Sequence, residues 1–218
     1  MAGAASTGRG LLISLEGGEG AGKTTVLGAL RERLEAHGHR VVQTREPGGT
    51  PAGEAIRALL LDPAQALSAS AELLLMFASR AQLVETVVEP ALARGETVLA
   101  DRFTDASFAY QGGGRGLPMA LVAELERSFV RRQPDFTLLL DLDVAAGLAR
   151  ARARGGPADR IEQEQAGFFE RVRAAYRARA AAQPERFAVV DAAQPVEAVV
   201  RDACAALDAF LARRGEGG

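Results

Sequence analysis

Short, almost uninterrupted apolar runs alternate along this chain with longer stretches in which apolar residues return every three or four positions. Five runs, at 11–15, 40–44, 97–100, 136–140 and 187–190, are too short for helices and apolar on both faces, the pattern of parallel strands covered from both sides. The helical periodicity occupies 23–36, 51–61, 71–93, 104–111, 118–131, 144–152, 163–182 and 195–213. Strand and helix in regular alternation predict an α/β fold, a five-stranded parallel sheet flanked by helices. No internal repeat is visible. In such sheets ligands bind at the carboxyl ends of the strands, so the segments after 15, 44, 100 and 140 are where chemistry is expected.

Composition narrows this picture. With 218 residues, 48% of them hydrophobic, the chain can bury one substantial core, and a single domain over 1–218 is expected, with 1–8 and 215–218 as flexible tails. A net charge of −2 and the absence of a basic stripe interleaved with aromatics argue against a nucleic-acid surface. The single cysteine, Cys204, has no partner for an internal disulfide and falls on the apolar side of the last helix with Val200 and Leu207, which reads as buried packing. Residues 1–8 lack an apolar signal core, and no run approaches the roughly 18 apolar residues of a membrane span, so a cytoplasmic protein without membrane association is expected.

The segments after the strands carry the candidate chemistry. Gly17-Gly18-Glu19-Gly20-Ala21-Gly22-Lys23-Thr24-Thr25 follows the first strand and opens the first helix, the setting of a phosphate-binding loop. Gly17, Gly20 and Gly22 permit a tight turn that aims successive N–H groups at one point, where the helix also presents its positive end. Lys23 would reach the terminal phosphates and the Thr24 hydroxyl would hold Mg²⁺. Lys23 is also the only lysine in a chain that otherwise carries its positive charge on arginine. Asp101 ends the third strand, where a carboxylate can reach Mg²⁺ or its waters, and Arg102 follows it; a strand-end ion pair is the plain alternative. Arg45 and Arg57, after the second strand and on the next helix, suit a second phosphorylated ligand held by bidentate contacts, although Arg57 also fits a solvated helix face.

Ser107, Tyr110 and Gln111 stand at i, i+3 and i+4 and would share a helix face able to read a pyrimidine edge and close one side of a sugar, or would be a core tyrosine with polar neighbours. Met76, Phe77 and Arg80 form a similar trio, though an apolar stripe at that spacing is more often core than ligand platform. Arg150, Arg152 and Arg154 run into Gly155-Gly156-Pro157 and Arg160, cations that repel unless an anion joins them. A lid over 150–160 that closes on phosphates is the functional reading, and a solvated basic helix end the other. A GTP-dependent switch is excluded, because its N-K-x-D base reader needs an asparagine and the chain has none.

Five segments together resemble the bacterial thymidylate kinases. They are G-G-E-G-A-G-K-T-T at 17–25, T-R-E-P-G-G-T at 44–50, A-S-R-A-Q-L-V-E at 78–85, D-R-F-T-D-A-S-F-A-Y-Q-G-G-G-R-G at 101–116 and R-A-R-A-R-G-G-P-A-D-R-I-E at 150–162. The resemblance spans essentially the whole chain and implies a P-loop nucleoside monophosphate kinase that phosphorylates dTMP to dTDP from Mg·ATP, on the way to dTTP. It implies that residues 17–25 and Arg150 bind ATP, that Glu19 holds the deoxyribose 3′-hydroxyl, and that Arg45, Arg57 and Arg102 hold the acceptor phosphate. It further implies that Arg80, Ser107 and Gln111 contact thymine and that Tyr110 disfavours a ribose 2′-hydroxyl. Where the family stacks an aromatic on the base this chain has Met76, with Phe77 one residue later. Glu19 stands where other members place a loop cation, so the chain resembles the kind whose catalytic arginines lie in the lid, here Arg152 and Arg154 beside Lys23 and Arg102. A homodimer is implied, with the apolar third helix as a candidate interface. A kinase of another nucleoside or nucleoside monophosphate, and a nucleotide-binding regulatory protein without turnover, are the alternative functions.

Overall fold

The computed structural model describes residues 9–155 and 157–215, and within them five parallel strands form one sheet in the order β2-β3-β1-β4-β5. These are β1 Leu12–Gly17, β2 Val41–Arg45, β3 Thr97–Asp101, β4 Phe136–Asp141 and β5 Phe187–Asp191. Register places Leu15 beside Asp101 and Glu16 beside Leu139, so the carboxyl ends of β1, β3 and β4 finish close together. The three central strands are almost wholly buried. β2 and β5 are not: as the sheet's edges they alternate buried and exposed positions, so their apolar runs do not mark strands covered on both sides.

The helices are α1 Lys23–Ala36, α2 Pro51–Leu61, α3 Ala69–Leu83, α4 Glu89–Ala93, α5 Thr104–Ser107, α6 Met119–Leu125, α7 Val144–Arg154, α8 Ala166–Ala182 and α9 Val196–Arg213. Period two along β1 sends Ile13 and Leu15 into one core with Val26 and Leu30 of α1 and Leu207 of α9. Leu12 faces the opposite core with Leu73 and Phe77 of α3 and Phe103. A third cluster joins Tyr110 and Leu139 to Phe168, Val172 and Tyr176 of α8. Ser14 and Glu16 therefore share Leu12's face of the sheet, both fully buried.

Three expected helices are interrupted. The segment expected at 71–93 is α3, a π-helical stretch Val84–Val88 and α4; that at 118–131 is α6 followed by a π-helical stretch Glu126–Val130. The one expected at 104–111 is α5 continued by π-helical Phe108–Gly114. Its glycines explain the last: a Cβ on Gly113 would lie 2.7 Å from Ala175 Cβ, and one on Gly114 2.5 Å from the Phe168 ring, so only glycine lets α8 pack this closely. Such widened turns re-aim side chains, here Tyr110 and Gln111. α7 runs two residues beyond expectation, and α8 begins three later because Asp159 caps a turn through the amides of Ile161 and Glu162.

Cys204 is half-buried rather than buried; Ala203 and Leu207 take the interior positions of α9. The tails expected at 1–8 and 216–218, and Gly156 of the lid turn, lie outside the described residues. No helix among the described residues is long and apolar enough to cross a membrane.

Candidate active site

The loop between β1 and α1 is shaped by its glycines. Gly17, Gly20 and Gly22 have φ of 149°, 68° and 85°, conformations that L side chains rarely adopt. At Gly20 a Cβ would also sit 2.2 Å from the carbonyl oxygen of Gly147, so the loop is pressed against α7 backbone to backbone. Gly22 is the N-cap of α1 and offers no side chain to the first turn, which carries no acidic residue either. The N–H groups at this helix end are thus left for an anion. Lys23 folds back so that its Nζ donates to the carbonyls of Gly17 and Gly18 at 3.2 and 3.1 Å. Burial and the Arg102 charge push its ammonium down to about 8, against the pull of Glu19 and Asp101.

Arg102 lies at the centre of the site. Its φ of 69° is rare for a residue with a side chain, a strained backbone of the kind that accompanies functional sites. Nη1 donates to the Gly17 carbonyl at 3.0 Å and to the Tyr176 hydroxyl at 3.1 Å, while Nη2 donates to Tyr110 at 3.0 Å and to Glu19 Oε1 at 3.3 Å. The Tyr110 hydroxyl in turn donates to the same Glu19 oxygen at 3.1 Å. Burial would raise the Glu19 pKa, but Arg102, Lys23 and the Tyr110 hydrogen bond outweigh it and hold the carboxylate below its usual range. Behind this layer, Glu16 accepts from the Phe103 amide and from the Tyr176 hydroxyl, both at 2.7 Å. It grips the strained Arg102 from its backbone side and, through Tyr176, from its side-chain side. Burial, reinforced by Asp105, pushes the Glu16 pKa up to about 8.

One cavity of about 310 Å³ unites these parts. Glu19, Gly20, Ala21, Gly22, Lys23 and Thr24 of the loop line it together with Arg45, Arg57, Met76, Asp101, Arg102, Tyr110, Gln111 and Arg154. Arg57 Nη1 is held by the Pro47 carbonyl at 2.9 Å, and Arg45 pairs with Glu54 at 2.9 Å. The Met76 and Phe77 question has a geometric answer: Met76 faces the cavity, whereas Phe77 belongs to the core beneath the Arg80 guanidinium, 4.8 Å from its ring centre. Arg80 and Ser107 lie outside the lining, both fully buried and bonded to each other at 3.0 Å. Arg80 also donates to Glu46 at 2.6 Å and to the Phe103 carbonyl at 3.2 Å. Ser107 thus does not share a cavity face with Tyr110 and Gln111, because the chain widens into the π-helical stretch directly after it. Gly17, Gly18, Thr25, Arg150 and Arg152 are also outside the lining. Arg150 donates to the Ala192 carbonyl at 2.8 Å, Arg154 pairs with Glu162 at 2.9 Å, and Arg152 is exposed on α7.

Among the described residues no group of three or more His, Cys, Asp or Glu side chains converges as a metal cage. Mg²⁺ bound with a nucleotide does not need one, since phosphates and water supply most of its octahedron. Asp101 fits that role: its Oδ1 is buried without a hydrogen-bond partner in a residue that lines the cavity beside Thr24.

A family model described as thymidylate kinase matches residues 15–203. The chain belongs to the thymidylate kinase family. A thymidylate kinase of Pseudomonas entomophila is 58% identical over 205 residues, covering 93% of this chain and 95% of that protein. One from Pseudomonas putida strain F1 is 56% identical over 207 residues, covering 94% and 98%. The crystal structure of thymidylate kinase from Ehrlichia chaffeensis superposes with a TM-score of 0.74 at 32% identity, over 91% of this chain and 98% of that one. The fold is therefore that of a P-loop nucleoside monophosphate kinase, and the chain is a phosphotransferase.

Several residues of this thymidylate kinase site received no individual site role from the sequence, although Arg115 and Arg160 stand inside two of the quoted segments. Glu72 and Arg160 line the cavity, Arg115 and Tyr176 brace it, and Glu16 lies behind it. Outside those segments, Glu16 and Glu72 also left a trace: Glu16 is a charge at the end of an apolar strand, and Glu72 precedes Met76 and Arg80 at i+4 and i+8 on one helix face. Tyr176 left none, since it meets Glu16 from 160 positions away.

Proposed function

We propose that this member of the thymidylate kinase family, an ATP-dependent dTMP kinase, holds donor and acceptor in the single cavity described above and transfers the γ-phosphoryl group between them. An oxygen of the dTMP phosphate attacks the γ-phosphorus as its bond to the β-phosphate oxygen breaks, leaving dTDP and ADP. The observation that carries this reading is that one cavity is lined both by the phosphate loop and by Arg45, Arg57 and Arg102, enough cation to hold a second phosphate beside the first. The N–H groups of residues 20–24 and Lys23 cradle the donor phosphates. Thr24 and Asp101 hold Mg²⁺, which when bound neutralises charge on the β- and γ-phosphates.

On the acceptor, Glu19 takes the 3′-hydroxyl and Tyr110 closes the space a 2′-hydroxyl would need. Gln111 reads the thymine edge across the face of Met76, with Arg80 and Ser107 supporting the pocket from behind. Arg154 already reaches the cavity from α7, and Arg152 joins it when the segment over 150–160 closes; Arg150 flanks the nucleotide side beside Gly20. The protein works in the cytoplasm as a homodimer, whose interface covers exposed Leu74 on α3 and Phe129 on the stretch packed against α3. The test is a coupled ADP-release assay with Mg·ATP and dTMP, dUMP, UMP, dCMP and AMP as acceptors. The highest kcat/KM is expected for dTMP; a clear preference for another acceptor, or no turnover, overturns the reading.

A further inference from the structure

The site contains a buried acid that the transfer reaction does not use. Glu72, in the first turn of α3, is 1% exposed and yet lines the cavity. Arg160 Nη2 donates to its Oε2 at 2.7 Å, Arg115 Nε lies 3.1 Å from both oxygens, and Gln111 Nε2 donates to Oε1 at 2.9 Å. Burial would raise the Glu72 pKa, but the hydrogen bonds from Arg115 and Gln111 and the Arg115 charge outweigh it and hold the group below its usual range.

An ionised carboxylate has lone pairs and no donor. The Gln111 atom facing it must therefore be the NH₂. A flipped amide would set its carbonyl oxygen against the carboxylate with little water to screen the repulsion. Gln111 is itself only 2% exposed, and its Oε1 is buried with no hydrogen-bond partner, in a side chain that lines the cavity. A buried acceptor in that condition calls for a donor from the ligand. The second N–H of the same amide remains available to a neighbouring carbonyl.

We propose that Glu72 is a positioning residue that sets base specificity: by locking the Gln111 amide it commits the pocket to a base with a ring N–H flanked by carbonyl oxygen. Thymine and uracil meet that demand at N3. Cytosine, held in the same place by its phosphate and sugar, turns an N3 lone pair toward Oε1 and is rejected. Arg115 and Arg160 serve this lock by keeping Glu72 ionised. The inference rests on the cavity being the dTMP site.

Glu72→Gln tests it, because the new amide can face Gln111 with either its carbonyl or its NH₂ and so permits both orientations. The ratio of kcat/KM for dTMP to that for dCMP should fall at least tenfold, with dCMP gaining as dTMP loses. Glu72→Asp keeps the charge for both arginines but withdraws it by one methylene, and should shift the ratio in the same direction. Equal loss on both acceptors in a folded variant, leaving the ratio unchanged, marks a purely structural role and overturns the proposal. A parent enzyme that does not prefer dTMP over dCMP overturns the site reading beneath it. The parent also decides by itself should neither variant fold: the N3 imino proton of bound dTMP must give a slowly exchanging NMR resonance, and its absence overturns the proposal.

Discussion

Glu16→Gln should make the protein more stable at neutral and alkaline pH, by an amount that grows with pH. Glu16 is fully buried, and its proton, lost near 4.5 in the unfolded chain, is kept to about 8 in the fold. Across that window unfolding releases a proton, so rising pH favours the unfolded state by about 1.4 kcal/mol per unit. Glu16's contribution is thus complete below 4.5, declines as pH rises and is lost by about 8, a total of about 5 kcal/mol for the shift of about 3.5 units. Glutamine has the same shape, keeps an acceptor for the Phe103 amide and has no proton to release. The test is urea unfolding of parent and variant at pH 5, 6, 7 and 8. The difference in unfolding free energy should move toward the variant by about 4 kcal/mol from first to last, since every other titrating group is shared. Parallel curves, with a difference constant to within about 0.5 kcal/mol, the usual spread of an indifferent substitution, would refute a Glu16 held protonated by burial.

Three further outcomes probe the cavity. Lys23→Ala should abolish phosphoryl transfer while leaving the urea midpoint near that of the parent, because Lys23 faces loop carbonyls and the cavity rather than a core cluster; near-normal turnover at saturating Mg·ATP would remove the loop as donor site. Alanine at Arg154 or Arg152 should lower kcat far more than it raises the KM for dTMP, by about 10³- to 10⁵-fold for an arginine acting in the transition state, with lysine rescuing only partly. Single and double variants that all match the parent at saturating substrates would return α7's end to a solvated basic helix. Tyr110→Ala should narrow the preference for dTMP over ribothymidine monophosphate, and also weaken turnover because Arg102 loses one of its hydroxyl acceptors; equal kcat/KM ratios for the two acceptors in parent and variant would take Tyr110 out of the sugar pocket.

Much of the molecule was legible in the chain because its causes are local. Period two against period 3.6 locates strands and helices, and a strand leading into Gly17 to Thr24 and a helix builds its phosphate cradle from consecutive backbone amides. The carboxyl-end rule then places Arg45 and Asp101 at the same rim without knowledge of the sheet order. Where the sequence read less well, distant parts of the chain decide. The exposure of β2 and β5 follows from their being edges, which only the order β2-β3-β1-β4-β5 settles. Interruption of the segment after Ser107 depends on α8 pressing on Gly113 and Gly114, so the face shared by Tyr110 and Gln111 excludes Ser107. Met76 rather than Phe77 meets the cavity because Phe77 completes a core cluster with Leu12 and Val98. The carboxylates behind the site were the least legible: Glu16 acquires its meaning from Tyr176, and Glu72 from Gln111, Arg115 and Arg160. A buried charge is defined by the partners that desolvate and neutralise it, and those partners are neighbours only after the chain has folded.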